Sequence, residues 1–137
     1  MDLSIKDSTK SLFNVMFTIY GEPASKANSR KLVMIKGRMI PIKSQKALNY
    51  VKEFQKQIPK VSPLTEEYVK VEMMIYYASR RPDLDESLIL DCLQGLVYKN
   101  DRQVKQKTIY WGLDKENPRA IIRLTPFDSY GIPSGLL

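Results

Sequence analysis

The sequence contains no histidine. This absence excludes the Ser-His-Asp and Cys-His nucleophile arrangements, zinc sites that include histidine, and the histidine general base of many nucleases. If the protein is an enzyme, then carboxylates, lysines or tyrosines must carry its chemistry. The single cysteine, Cys92, excludes an intrachain disulfide and suits a reducing compartment. We expect Cys92 to be a small core residue beside the apolar face of a helix.

Long apolar runs are also missing from the sequence. No segment approaches the roughly 18 to 20 consecutive apolar residues of a membrane helix, and the N-terminus lacks the apolar centre of a signal peptide. We therefore expect a cytoplasmic protein. The 137 residues, of which 43% are hydrophobic and 27% charged, suit a single globular domain, with residues 1–11 as a flexible arm and 126–137 as a tail.

The net charge of +7 is unevenly distributed. Before Ser62 the sequence has twelve Lys or Arg and four Asp or Glu. After Ser62 it has ten Lys or Arg and eleven Asp or Glu. A nuclease requires such a division, because one surface holds phosphates while another concentrates carboxylates around a cation. Solubility alone explains the charge of many small basic proteins, so charge leaves nucleic-acid binding open. The basic stretch that we assign to DNA backbone contact comprises Lys26, Arg30, Lys31, Lys36, Arg38, Lys43 and Lys46.

Hydrophobic periodicity predicts an α/β (α+β) domain with a mixed β-sheet and two main helices. The predicted order is strand, hairpin, helix, strand, helix and two strands. Ser44 is expected to cap the first helix, and Gly37-Arg38 to form the hairpin turn. Strands are expected over residues 13–20, 32–36, 39–42, 68–77, 105–111 and 119–125, and helices over 44–58 and 86–97.

Acidic residues cluster where the strongest predicted strand meets the second helix. Asp83 and Asp85 lie two residues apart there, and Asp101 follows the helix. Aspartates that share Mg²⁺ supply an activated water and neutralise phosphate charge without histidine. Alternatively, Asp83 and Asp85 only cap the helix, since Asp is preferred at helix N-termini. Asp101 can join them only if the chain folds back after Val97.

Three segments in this order resemble the signature of the RusA-type Holliday junction resolvases. The opening residues 21–26, with Arg30 and the Gly37-Arg38 hairpin, are similar to that family's first strand and basic loop, so the resemblance covers about residues 13–125. The three segments are Arg81-Pro82-Asp83-Leu84-Asp85, Asp91-Cys92-Leu93-Gln94-Gly95 and Val97-Tyr98-Lys99-Asn100-Asp101-Arg102-Gln103-Val104.

The resemblance implies a RusA-like fold and a homodimer that cuts four-way DNA junctions in recombination and repair. It implies Mg²⁺ as cofactor, with Mn²⁺ as a substitute, and a bacterial or phage protein associated with the nucleoid. The implied catalytic and metal-binding residues are Asp83, Asp85 and Asp101, with Asp91 as a further metal ligand. The residues that we expect to contact DNA phosphates are Arg81, Lys26, Arg30, Lys31, Arg38, Lys99 and Arg102.

The sequence departs from the family signature at three positions. Glu86 replaces an Asn, Asn100 replaces the first residue of an Asp-Asp pair, and Ile89 stands where the family's catalytic lysine is expected. Stabilisation of phosphate charge would then fall to Arg81, Lys99 or Arg102. Two alternatives therefore remain, namely a weak or inactive protein of the same fold that binds branched DNA, and a nuclease that acts on flaps or forks.

Overall fold

A computed structural model describes residues 14–25 and 28–137. Phe13, Lys26 and the expected arm at residues 1–11 lie outside the described residues. The predicted order of elements and the α+β fold are confirmed. The elements are β1 Val15–Tyr20, β2 Arg30–Ile35, β3 Arg38–Lys43, α1 Gln45–Gln57, β4 Val69–Tyr77, α2 Ser87–Leu93, β5 Val104–Leu113 and β6 Arg119–Pro126, with 3-10 turns at Asp101–Gln103, Ser129–Gly131 and Ser134–Leu136.

Four strands form one mixed sheet in the order β1-β6-β4-β5. The central strand β4 runs antiparallel to β6 and parallel to β5. Every second residue of β4, from Val69 to Tyr77, is buried, because successive side chains of a strand point to opposite faces. Both helices pack on this face, where Phe54 of α1 meets Phe17 of β1 edge to face. The opposite face, which we call the open face, carries no helix from residues 14–25 or 28–137.

Helix α1 begins as the sequence predicts. The Ser44 hydroxyl accepts the backbone N–H of Ala47 at 3.2 Å and so satisfies one of the unpaired donors of the first turn. Ala47, Tyr50 and Phe54 form the buried stripe of the helix. Cys92 is buried as predicted, and burial raises the pKa of its thiol to about 12.

Helix α2 is shorter than the sequence predicts. The predicted span of 86–97 is wrong, because the helix ends at Leu93 and Gly95 takes a φ of +84°, which favours glycine. The Gly95 N–H then donates to the Tyr98 carbonyl at 2.8 Å, and the Val97 N–H donates to the Leu93 carbonyl at 3.0 Å. The chain therefore folds back before Val97, which brings the following segment alongside the helix.

Strands β2 and β3 form a separate two-stranded sheet, which we call the hairpin. Its turn lies at Lys36 and Gly37, with φ of +49° and +77°, as two-residue hairpin turns require, and not at Gly37-Arg38 as predicted. No residue of either strand is fully buried. Within the described ranges, no helix is long and apolar enough to cross a membrane.

Candidate active site

The loop between β4 and α2 carries the two aspartates that lie closest in sequence. The Asp85 N–H donates to the hydroxyl of Tyr77, whose side chain is buried at the end of β4, at 3.1 Å. The Asp85 carboxylate accepts the backbone N–H of Ser87 at 2.9 Å and also the Ser87 hydroxyl. Asp83 and Arg81 lie exposed in the same loop. Asp85 is therefore held firmly, whereas Asp83 projects from the surface.

Asp85 partly fulfils the alternative role of a helix cap. Glu86 occupies the N-cap position of α2 but makes no capping bond with its side chain, and the carboxylate of Asp85 satisfies the Ser87 N–H instead. An ionised carboxylate has about four lone-pair sites. The bonds to Ser87 are therefore compatible with a further bond from Asp85 to a cation.

Asp101 begins a 3-10 turn that is tied to the end of α2. Its N–H donates to the side-chain oxygen of Gln94 at 2.8 Å. The Asn100 side chain caps the turn by accepting the N–H of Arg102 at 2.9 Å. An Asn offers the same acceptor as an Asp here, so the departure from the family signature at Asn100 preserves the cap.

Gln103 connects this turn to the loop that precedes β4. Its side-chain oxygen accepts the N–H groups of Lys99 and Asn100, and its side-chain nitrogen donates to the carbonyls of Thr65 and Glu67, all at 2.8 to 3.0 Å. Both ends of one amide are thus used. The position of Asp101 depends on a contact between segments that are distant in sequence.

Asp91 and Asp101 face one open cleft between α2 and the start of β5. The cleft measures about 400 Å³ and is also lined by Ser87, Lys105 and Lys107. A liquid water molecule takes up roughly 30 Å³, so the cleft has room for a hydrated cation and a phosphate group. Asp85 does not itself line the cleft but bonds to Ser87, which does, and we call this position the rim.

The negative charges of both cleft acids act on one buried tyrosine. The Tyr98 hydroxyl donates to the Leu90 carbonyl at 2.9 Å. Burial raises the pKa of Tyr98, and the negative charges of Asp101 and Asp91 raise it further. A different tyrosine, Tyr77, has its pKa raised by burial and by carboxylates that include Asp85.

The aspartates thus fall into different positions around α2. The structure brings Asp91 and Asp101 together, places Asp85 at the rim and leaves Asp83 in the exposed loop. Among residues 14–25 and 28–137, no three Asp, Glu or Cys side chains converge closely enough to hold one metal ion. A single site formed by Asp83, Asp85 and Asp101 stays a prediction.

The cations of the cleft differ from those proposed on the sequence. Lys107 lines the cleft and forms an ion pair with Glu86 at 3.1 Å. Lys99 instead pairs with Glu66 at 2.6 Å, and Arg102 is exposed in the Asp101 turn. Ile89 is fully buried, so the helix position of the missing lysine belongs to the core.

Sequence reasoning missed Lys107 because its place depends on strand pairing. The parallel register sets Lys107 beside Val71 of β4, and such neighbours share a face of the sheet. Val71 is buried on the helix-covered face, so Lys107 lies on the side of α2. Only the alternation within β5, combined with the correct register, would have revealed this.

A second, smaller depression connects the cleft to the hairpin. It is lined by Arg30 and Lys43 at the base of the hairpin and by Ser87 and Asp91 of α2. Arg30 and Lys43, two members of the predicted basic stretch, therefore lie beside Asp91. The predicted phosphate contacts Lys31 and Arg38 are exposed on the same hairpin, and Lys26 falls outside the described residues.

Carboxylates in an open cleft beside a basic hairpin define a class of protein that acts on nucleic-acid phosphates. The profile of the family Endodeoxyribonuclease RusA matches residues 21–125. The chain belongs to this family of Holliday junction resolving nucleases, as the resemblance implies. The match includes the hairpin, both helices and all four aspartates that the resemblance assigns to the metal. Among curated proteins, no match to the chain was found.

Proposed function

We propose that the protein is a Mg²⁺-dependent endonuclease that cuts four-way DNA junctions in recombination and repair. The observation that carries this proposal is the pair Asp91 and Asp101, which faces one cleft together with Lys105 and Lys107. Arg30 and Lys43, at the base of the hairpin, line the depression that adjoins this cleft. DNA that lies along the hairpin would therefore pass the carboxylates.

The donor set of the cleft fits Mg²⁺ or Mn²⁺. Its acids offer oxygen ligands, which these hard cations prefer. Mg²⁺ keeps several of its waters and binds through one or two carboxylates plus substrate phosphates, so a cage of three protein acids is not required. Asp91 and Asp101 would hold the ion, and Asp85 would reach it from the rim. Asp83 remains a candidate ligand on the family resemblance alone.

The residues of the cleft divide the chemistry between them. When bound, Mg²⁺ makes a water nucleophilic at neutral pH and offsets charge on the attacked phosphate. Lys107, oriented by Glu86, would lie beside that phosphate in place of the lysine that α2 lacks. Arg81 and Arg102 would contact flanking phosphates, as proposed on the sequence. The exposed Lys99–Glu66 pair is of a kind worth little in water, so Lys99 remains available to DNA.

A panel of DNA substrates tests the proposal. Purified protein is mixed with a four-way junction, a fork, a flap and a linear duplex, each with Mg²⁺, Mn²⁺, Ca²⁺ or EDTA. We expect paired nicks in the junction with Mg²⁺ or Mn²⁺, and intact junction with Ca²⁺ or EDTA. Denaturing gels read the cleavage and native gels read the binding.

Two other results would replace the proposed activity. Tight junction binding without cleavage in the presence of any of the metals would identify a DNA-binding protein that has lost its nuclease activity. Two observations favour this alternative: Ile89 is buried, and no group of three carboxylates converges in the described part of the chain. Preferential cutting of flaps or forks would identify a nuclease for a different substrate.

We also propose that the active form is a homodimer joined through the open face of the sheet. Symmetric nicks in a four-way junction require two sites related by a two-fold axis. Within one copy, Glu72 and Arg123 form an ion pair of 2.7 Å. In a two-fold contact, Glu72 of each copy would be able to pair with Arg123 of the other copy instead. The open face presents the apolar residues Met16, Met74, Tyr76, Tyr110 and Ile121, bordered by Glu72 and Arg123.

Tyr110→Asp should therefore produce a monomer. Tyr110 is 53% exposed in the single chain, so the fold tolerates the change, whereas a charge in the dimer interface is costly. Light scattering after size exclusion gives the mass, and a cruciform plasmid assay shows whether the two nicks become independent. The control is Leu48→Asp, an exposed position on α1. A Tyr110→Asp variant that remains dimeric, or a wild-type monomer that cuts both strands, would contradict this interface.

A further inference from the structure

The hairpin exposes large apolar side chains to solvent. Leu32 is 62% exposed, Met34 65%, Ile35 45% and Met39 54%. Neither strand joins the main sheet, so the hairpin contributes little to the core. A contiguous apolar patch on a protein surface marks a site of interaction.

The strand register places part of this patch on one side of the hairpin. Leu32 pairs with Pro41 and Met34 with Met39, and directly opposed residues share a face. These four residues form what we call the apolar ridge. Arg30 and Lys43 pair at the base of the same face and line the depression beside Asp91. The ridge therefore leads from the tip of the hairpin to the candidate active site.

Charge identifies the kind of partner that the ridge fits. From Arg30 through Lys43, with both end residues included, the sequence holds five basic residues and no acidic residue. An apolar strip bordered only by cations complements a polyanion that exposes apolar surface. DNA has both features where base stacking is interrupted, and Leu, Met and Pro are among the side chains that proteins insert between bases.

We propose that the hairpin is a wedge whose apolar ridge packs against unstacked bases at the branch point of the junction. This inference rests on the proposed function. In an intact duplex the wedge must separate bases that are stacked on both sides, whereas stacking at the branch point is already interrupted on one side, so that a base there leaves the stack at lower cost. The ridge thus favours branched over linear DNA, while the flanking cations hold phosphates of either form.

A fluorescent base analogue beside the branch point tests the wedge. 2-Aminopurine brightens when it leaves the stack, and EDTA prevents cleavage during the titration. Wild-type protein should raise the fluorescence on binding. Met34→Ser/Met39→Ser should remove most of the rise and lower the preference for junction over duplex by roughly tenfold, while duplex affinity is retained.

Two further variants separate the wedge from general effects. Leu48→Ser changes an exposed apolar residue of α1 and should behave as wild type. Lys36→Ala/Arg38→Ala removes cations at the tip and should weaken binding to all DNA shapes alike. For this variant, the slope of log affinity against log salt concentration should become shallower by about 0.9 for each DNA phosphate that it no longer neutralises. Thermal unfolding checks that each variant folds.

The outcomes distinguish the wedge from the proposed function. Junction binding by the wild type without a fluorescence rise would overturn the wedge alone, as would a full rise with the Met34→Ser/Met39→Ser protein. Loss of the dimer in that variant would show that the ridge contacts a second copy of the chain. Failure of the wild type to bind branched DNA would overturn both proposals.

Discussion

Asp85→Asn is expected to lower Mg²⁺-dependent cleavage by at least about 100-fold, while the fold and the junction affinity survive. The amide oxygen of Asn still accepts the Ser87 N–H that Asp85 accepts at 2.9 Å, so the start of α2 keeps its partner. The substitution removes the negative charge that a cation requires. Single-turnover nicking at saturating DNA, followed across a Mg²⁺ titration, measures the effect.

A matched control exists at the other end of the chain. Asp128 accepts the N–H of Tyr130 at 2.9 Å, the same bond to a residue two positions onward, but it lies beyond β6 and outside the cleft. Asp128→Asn should change neither cleavage nor stability. If Asp85→Asn cut junctions at the wild-type rate, Asp85 would be a helix cap and nothing more.

The same assay ranks the other acids. Asp91→Asn and Asp101→Asn should lose cleavage to a similar degree, because both carboxylates face the cleft. Asp83→Asn examines the acid that only the family resemblance assigns, since its side chain lies in the exposed loop. Each of these substitutions removes one negative charge near the DNA, so junction affinity should stay equal or increase.

Local sequence patterns predicted the parts of the fold that local forces determine. The alternation in β4 reflects one buried face, and Ser44 caps α1 through its own neighbour Ala47. The end of α2 escaped prediction because the apolar residues Leu96 and Val97 continue the helical period. In the structure these two residues lie in a turn that the positive φ of Gly95 permits. The hydrogen bond from the Gly95 N–H to the Tyr98 carbonyl stabilises this turn.

The candidate site was less predictable because its residues meet through non-local contacts. The chain itself places Asp83 beside Asp85, and this spacing suits a helix cap as well as a shared metal. The pairing of Asp91 with Asp101 instead depends on the reversal at Gly95 and on the bond from Asp101 to Gln94. Lys107 enters the cleft only through the parallel register of β4 and β5. Spacing along the sequence carries no record of either contact.

Gln103→Ala is expected to destabilise the protein by about 2 to 4 kcal/mol and to weaken cleavage further than stability explains. The side chain makes four hydrogen bonds to backbone groups, each worth about 1 kcal/mol, and its removal leaves part-buried partners unsatisfied. The bonds to Lys99 and Asn100, which this substitution removes, hold the turn that presents Asp101. The Mg²⁺ concentration for half-maximal cleavage should therefore rise, in addition to the lower denaturation midpoint.

Gln106→Ala, on the adjoining strand β5, provides the control. The side-chain oxygen of Gln106 is buried without a hydrogen-bond partner in the described part of the chain, so its removal should cost little stability. Gln103→Glu should fall between the two, because it keeps the acceptor for the Lys99 and Asn100 N–H groups but loses both donors. If Gln103→Ala lowered the denaturation midpoint and left the Mg²⁺ requirement unchanged, Gln103 would support the fold without positioning Asp101, and Asp101 would not depend on this turn to bind the cation.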